Sequence, residues 1–268
     1  MKKSFQLILF VLLGCSSLYA QCPRENNFFR SGEELSYDMY FNYGIIRSKA
    51  GSSSLKITDA DYNGISGYKM TMLAQTSGLA KSLFSLKDTI SCYTTKTIVP
   101  LAYVKHALES GDYTIETAEY DYSMSDSVRM HVKRERNGVL RFDEVLSSAH
   151  CMYEMMSIVY YARTLDYASM KNGDIQTVSF LSGRNMMNMD IEYRGTTKIK
   201  ANDKQEYICH ILVLNLHEDS AFENKKEAMK VYLSADNNRI PVRIDSQLKI
   251  GGTKVVLKEA KGLLNIKL

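Results

Sequence analysis

The sharpest chemical pattern in the chain is Asp59-Ala60-Asp61-Tyr62-Asn63-Gly64. Oxygen-bearing side chains at alternate positions, followed by Asn and Gly, open an EF-hand calcium loop, where the oxygens ligate the ion and the glycine allows the turn. The twelfth position of such a loop is a bidentate Glu; here it is Met70. The flanks also alternate like strands rather than helices. The same residues are good turn formers, and a hairpin turn is the reading carried forward.

Other reactive residue types are dispersed. His106, His131, His150, His210 and His217 form no HExxH or other close ligand pair. Cys209-His210 and His150-Cys151 are adjacent, but neighbours in a strand point to opposite faces. Gly64-Ile65-Ser66-Gly67 falls short of a nucleophile elbow, and Gly251-Gly252-Thr253-Lys254 lacks the spacing of a phosphate loop. The carboxylates are scattered. The expectation is a protein that is not an enzyme, with no catalytic residue, no metal and no cofactor. Methionine is more suggestive, because it lines irregular apolar surfaces. Met152, Met155 and Met156 form one cluster, and Met186, Met187 and Met189 another.

The elements that must position these groups are mostly strands. Leu35, Tyr37, Met39, Phe41 and Tyr43 alternate with Ser36, Asp38, Tyr40 and Asn42, the period-two mark of a half-buried strand. Asn63-Gly64, Ser110-Gly111, Asn137-Gly138, Ser182-Gly183 and Gly251-Gly252 fall between such runs, where hairpins need them. Two stretches break the pattern. Residues 78–84 read as a short helical turn. Residues 153–165 read as a helix, with Met155, Ile158, Val159, Ala162 and Leu165 at helical spacing. The pattern predicts a mainly β fold: a curved antiparallel sheet or half-barrel of ten to fourteen strands, with one main helix against it. No composition shift or fixed repeat divides residues 21–268, which read as a single β-rich domain.

The chain opens with Lys2 and Lys3, an apolar run from Phe5 to Leu13, and small residues after it. The run is shorter than the ~20 residues a bilayer span needs, and the arrangement is that of a secretory signal peptide. Cleavage after Ala20 would release a soluble periplasmic protein. The alternative reads Leu12-Leu13-Gly14-Cys15 as a lipobox, with a lipoprotein anchored through Cys15. Membrane contact is expected only in that second case.

The 34 basic and 30 acidic residues give a net charge of +4, and loss of Lys2 and Lys3 leaves +2. A nearly neutral chain without a basic stripe gives no case for nucleic acid. Lys133-Arg134-Glu135-Arg136 reads as a solvated hairpin end. After cleavage Cys22, Cys92, Cys151 and Cys209 remain, an even number that permits disulfides in an exported chain with three connectivities open. Cys209 lies in an apolar run and suits a buried thiol.

Several segments resemble the domain-of-unknown-function 3108 family of exported bacterial proteins. They are Gly32-Glu33-Glu34-Leu35-Ser36-Tyr37-Asp38 with Lys49-Ala50-Gly51, then Thr76-Ser77-Gly78-Leu79 with Leu86-Lys87-Asp88-Thr89. Ser157, Tyr160, Tyr161, Arg163 and Leu165 in the helix follow, and then the run from Val231 to Ile244 that contains Asp236-Asn237-Asn238-Arg239-Ile240-Pro241. The Ala20-Gln21 junction is similar to signal ends common in the Bacteroidetes. The family resemblance implies an exported, largely β protein and carries over no catalytic residue. The closing strand-turn-Pro-strand pattern is also similar to the LolA-like lipoprotein-carrier half-barrels, which implies a helix on a concave sheet face.

These readings give a leading expectation and two rivals. The first is a non-enzymatic cell-envelope protein that binds a lipid or other apolar ligand, contacted by Met155, Ile158, Val159 and Ala162. The second is a structural or interaction module that binds an envelope protein or a glycan, for which tyrosines such as Tyr113, Tyr120 and Tyr122 would serve. The third is an enzyme without a recognisable motif.

Overall fold

The computed structural model describes residues 23–43, 46–217, 229–247 and 251–265. The signal segment 1–20, with Cys15, and Cys22 lie outside these residues. Among these residues fifteen strands form one sheet. The first half holds β1 (Glu34–Tyr43), β2 (Ile46–Tyr62), β3 (Ile65–Thr76), a short helix α1 (Leu79–Leu83), β4 (Leu86–Thr95), β5 (Pro100–Glu109), β6 (Asp112–Asp121), β7 (Val128–Arg136) and β8 (Val139–Ser148). After β9 (Met152–Tyr153) and helix α2 (Met155–Arg163) come β10 (Ile175–Ser182), β11 (Asn185–Lys200), β12 (Glu206–Leu216), β13 (Met229–Ser234), β14 (Pro241–Gln247) and β15 (Gly252–Lys261).

The strand order is β8-β7-β6-β5-β4-β3-β2-β1-β15-β14-β13-β12-β11-β10-β9. Strands adjacent in the sheet pair antiparallel, except β9 and β10, which run parallel. The first strand pairs with the last, Leu35 opposite Ala260 and Phe41 opposite Thr253. The mainly β, curved sheet expected from the sequence is therefore present. It has fifteen strands rather than ten to fourteen and is a nearly closed barrel. The main helix is shorter than expected by two residues at each end: Tyr153 pairs with Phe180 before the N-cap Glu154, and Thr164 is the C-cap.

Turn chemistry sets the register. Tyr62 pairs with Ile65, Glu109 with Asp112 and Arg136 with Val139, leaving two residues in each turn. Asn63 and Gly64 have φ of 52° and 82°, Ser110 and Gly111 50° and 96°, and Asn137 and Gly138 52° and 74°. Positive φ at both positions matches the right-handed strand twist of tight hairpins. The calcium-like run is thus a hairpin: Asp61 Oδ1 accepts from the Gly64 amide at 2.8 Å, Asp59 pairs with Lys96, and Met70 is buried in the core. Gly51, in the Lys49-Ala50-Gly51 segment, is fixed by close approach. A Cβ there would sit 2.0 Å from the Gln75 carbonyl oxygen of β3.

The core is divided by α2. Met152, Met156 and Tyr160 join one cluster with Leu35, Ile57, Met70, Met130 and Val242. Tyr153, Ile158, Tyr161, Ala162 and Leu165 join a second with Phe180, Met189, Ile191 and Leu212. The sheet ends β8 and β9 are consecutive in the chain, and side chains draw the seam together. Arg184 in the β10–β11 turn pairs with Glu144 of β8 at 2.9 Å. Gly183 of the same turn lies against Arg134 and Phe142.

Candidate functional site

Three of the segments that carry the family resemblance converge at the C-terminal end of α2. Arg163 donates from Nη1 to Glu33 Oε1 at 2.6 Å and from Nη2 to Oε2 at 2.8 Å. The same Nη2 reaches the carbonyl oxygens of Asn238 at 2.8 Å and Phe28 at 3.2 Å. The side chains of Arg163 and Glu33 are 0% and 1% exposed. Burial alone would lower the Arg163 pKa, but the facing Glu33 carboxylate outweighs it and the pKa is raised. A two-pronged pair with further acceptors is the form in which a buried charge persists. Arg239 then caps the helix, donating to the carbonyls of Arg163, at 3.0 Å, and Leu165. Its guanidinium lies 3.8 Å from the Phe28 ring centre. With both ionised groups buried, this latch holds the fold and does not meet a solute.

The other end of α2 is also polar and buried. Glu154 accepts from the amides of Met156 at 2.6 Å and Ser157 at 2.7 Å, and the Glu154 amide donates to Ser157 Oγ at 3.0 Å. This reciprocal box satisfies the donors that a helix start leaves open. Burial raises the Glu154 pKa against these hydrogen bonds, and burial and the nearby Glu154 charge raise that of Cys92. The hydroxyls of Tyr120, Tyr122 and Tyr160 are buried without a hydrogen-bond partner among the described residues. Tyr120 and Tyr122 are therefore inward-facing, contrary to the expectation of an exposed surface. Tyr113 is exposed, with its hydroxyl 2.8 Å from His106 Nδ1.

The helix residues predicted to contact a ligand do not share one face. Met155, at the helix start, is 56% exposed. Ile158 and Ala162 are buried in the second cluster, while Val159 packs against the first. Cys209 is buried, and His210 stacks on Tyr167 with ring centres 4.2 Å apart. Cys92 and Cys209 are free thiols, and Cys151 is disulfide-bonded. Among the described residues no three His, Cys, Asp or Glu side chains come together as a metal site.

A cleft opens instead on the outer wall. Cross-strand register aligns Tyr93, Ala102, Glu119, His131 and Val145 in one row over β4 to β8. Asp121, Arg129 and Ser147 form the next row. Pairing of β5 with β6 stops at Ala102 and Glu119, and β6 runs on beyond it. The resulting notch, beside Leu101, has a volume of about 260 Å³. Tyr62, at the end of β2, and Asn63 of the β2–β3 turn form one wall; Glu119, Tyr120, Asp121, Arg129, His131 and Val145 line the rest. The Tyr62 ring is braced by Tyr93, with centres 5.1 Å apart. Partial burial and the Glu119 charge beside it raise the Tyr62 pKa. His131 Nε2 is held by Asp143 at 2.6 Å. Asp121 accepts from the Ser123 amide, and that hydrogen bond, with the Arg129 charge opposite, lowers its pKa. The sequence did not single out this cleft: Glu119, Arg129 and His131 look like ordinary outward residues until the hairpin brings Tyr62 over them.

A meander closed around its own helix, with a buried ionic latch, defines a β-barrel-like protein. A solved structure of this shape is the β-barrel-like protein of domain of unknown function DUF1849 from Brucella abortus. It is similar with a TM-score of 0.58 at 6% identity, over 87% of this chain and 98% of that one. The chain belongs to the DUF3108 family of proteins of unknown function, which matches residues 36–258. Two further structures overlap less well. One is described as an exported protein with a YmcC-like fold from Bacteroides fragilis, with a TM-score of 0.33 at 12% identity over 88% of this chain and 100% of that one. The other is described as a lipoprotein from Parabacteroides distasonis, with a TM-score of 0.36 at 12% identity and the same coverage. No curated protein matches the chain.

Proposed function

We propose that the protein is a non-catalytic cell-envelope recognition module that meets its partner on the outer wall of the barrel, at the cleft beside Tyr62. The observation that carries this reading is the position of α2 within the core. The space in which a carrier would hold an acyl chain contains α2, with Met156 and Tyr160 packed to one side and Ile158 and Tyr161 to the other. The Tyr62 wall and the mixed charges of the cleft supply contact groups of the kind enriched at interfaces. The export-type N-terminal pattern supports a partner in the envelope. The test is co-sedimentation of purified protein with envelopes isolated from the producing cells. Wild type is expected to be retained and Glu119→Arg to be released. Equal retention of both proteins, or a stoichiometric amphiphile found by native mass spectrometry, would overturn the reading in favour of an internal lipid site.

A further inference from the structure

We infer that the outer cleft is a saccharide site that takes one or two neutral pyranose rings; this deepens the outer-wall reading above and rests on it. A pyranose presents hydroxyls around its rim and an apolar C–H face. A site for it needs carboxylates to accept, cationic or amide groups to donate, and a flat apolar wall. The cleft places all three within one notch. Glu119 supplies an acceptor beside the Tyr62 ring, and Arg129, opposite Asp121 and attracted by its charge, supplies a donor. His131 is oriented through Nε2 by Asp143, which leaves Nδ1 to meet a hydroxyl. Tyr62, braced by Tyr93, offers the wall, and Val145 adds apolar contact opposite.

Size and charge narrow the ligand class. The volume of about 260 Å³ is just under the ~300–1,000 Å³ of sites for drug-sized ligands, so a small polar ring fits better than a lipid. Glu119 and Asp121 offset Arg129, which disfavours an anionic ligand such as a phosphate. The residues come from three places, the β2–β3 turn, the β5–β6 divergence and the outer face of β7–β8, so folding preorganises them.

Saturation-transfer NMR and calorimetry with maltotriose, chitotriose and mannotriose, each raised to about 10 mM, test the assignment. At least one is expected to bind with Kd near 1 mM or tighter, in the range reachable by a small polar ligand. Glu119→Gln and Arg129→Met should each weaken binding about tenfold, the scale of one hydrogen bond to a charged group, without moving the melting temperature. Lys198→Gln, on β11, should leave it unchanged. Silence from all three sugars, or binding indifferent to both cleft variants, would overturn the saccharide assignment. If the sugars fail while envelope retention still depends on Glu119, the outer-wall reading stands alone. If retention is also indifferent, both fall.

Discussion

Glu33 and Arg163 are separated by 130 residues, yet each is the other's principal partner in the interior. Removing one member strands the other as a buried charge. Arg163→Met or Glu33→Gln is expected to cost about 3–5 kcal/mol in urea denaturation. The double variant Glu33→Leu/Arg163→Met should cost clearly less than the sum, because neither charge is left behind. Asp88 gives a second residue-scale prediction. It is buried on β4, near Lys105 and Glu109. Burial raises its pKa to about 6, Lys105 opposes that, and Glu109 adds to it. A folded-state pKa above the unfolded value of 3.8 means that the folded protein binds the proton more tightly. The stabilisation is therefore complete below the unfolded pKa and fades as pH rises through about 6. At neutral pH Asp88→Asn should melt higher than wild type. The gap should close as the pH falls through that window, read from melting temperatures in a pH series.

Within α2, side chains one position apart have opposite standing. Met156 is buried between helix and sheet and Met155 is exposed. Met156→Ala should cost about 2–5 kcal/mol through lost transfer and a residual cavity, whereas Met155→Ala should stay within about 0.5 kcal/mol. Equal losses in chemical denaturation would contradict this placement of the helix. The existence of the helix was legible because apolar residues recur at helical spacing without a break. Its orientation was not. A helix surrounded by core on two sides is apolar over most of its circumference, so spacing does not pick the contact face. Met155 fits the apolar stripe by number, but it is the first residue of the helix. Strands were legible where one face meets water. Tyr120 and Tyr122, at and just past the end of β6, misled because an aromatic with a hydroxyl suits an interior as well as an interface, and sequence does not say which side of the strand faces in. The latch was legible only as unexplained likeness to a family. Its partners lie in three distant segments, and only closure of the barrel brings them together.

At the scale of the whole molecule, the pairing of β1 with β15 joins the two halves of the sheet. Just beyond β15, a Cβ on Gly262 would lie 1.9 Å from the Gly32 carbonyl oxygen, and Gly262 itself has φ of 65°. Gly262→Val combines a backbone clash with a conformation that β-branched residues avoid. It should lower the melting temperature well beyond the effect of Gly111→Ala, whose added Cβ meets nothing within 4 Å. The seam at the other side is different in kind. Glu144 and Arg184 are 39% and 58% exposed, so Glu144→Gln should change stability by less than about 1 kcal/mol.

The pairing of the first strand with the last also orders events in time. If the chain crosses a membrane from its N-terminus, β1 emerges early with β2 on one side and nothing on the other. Its second partner, Gly252–Lys261, arrives only after β2 to β14. Throughout that interval an unpaired strand edge is presented to the surroundings, and such edges recruit other chains. In that case the exposure of the β1 edge ends only when β15 docks, however quickly the earlier hairpins form.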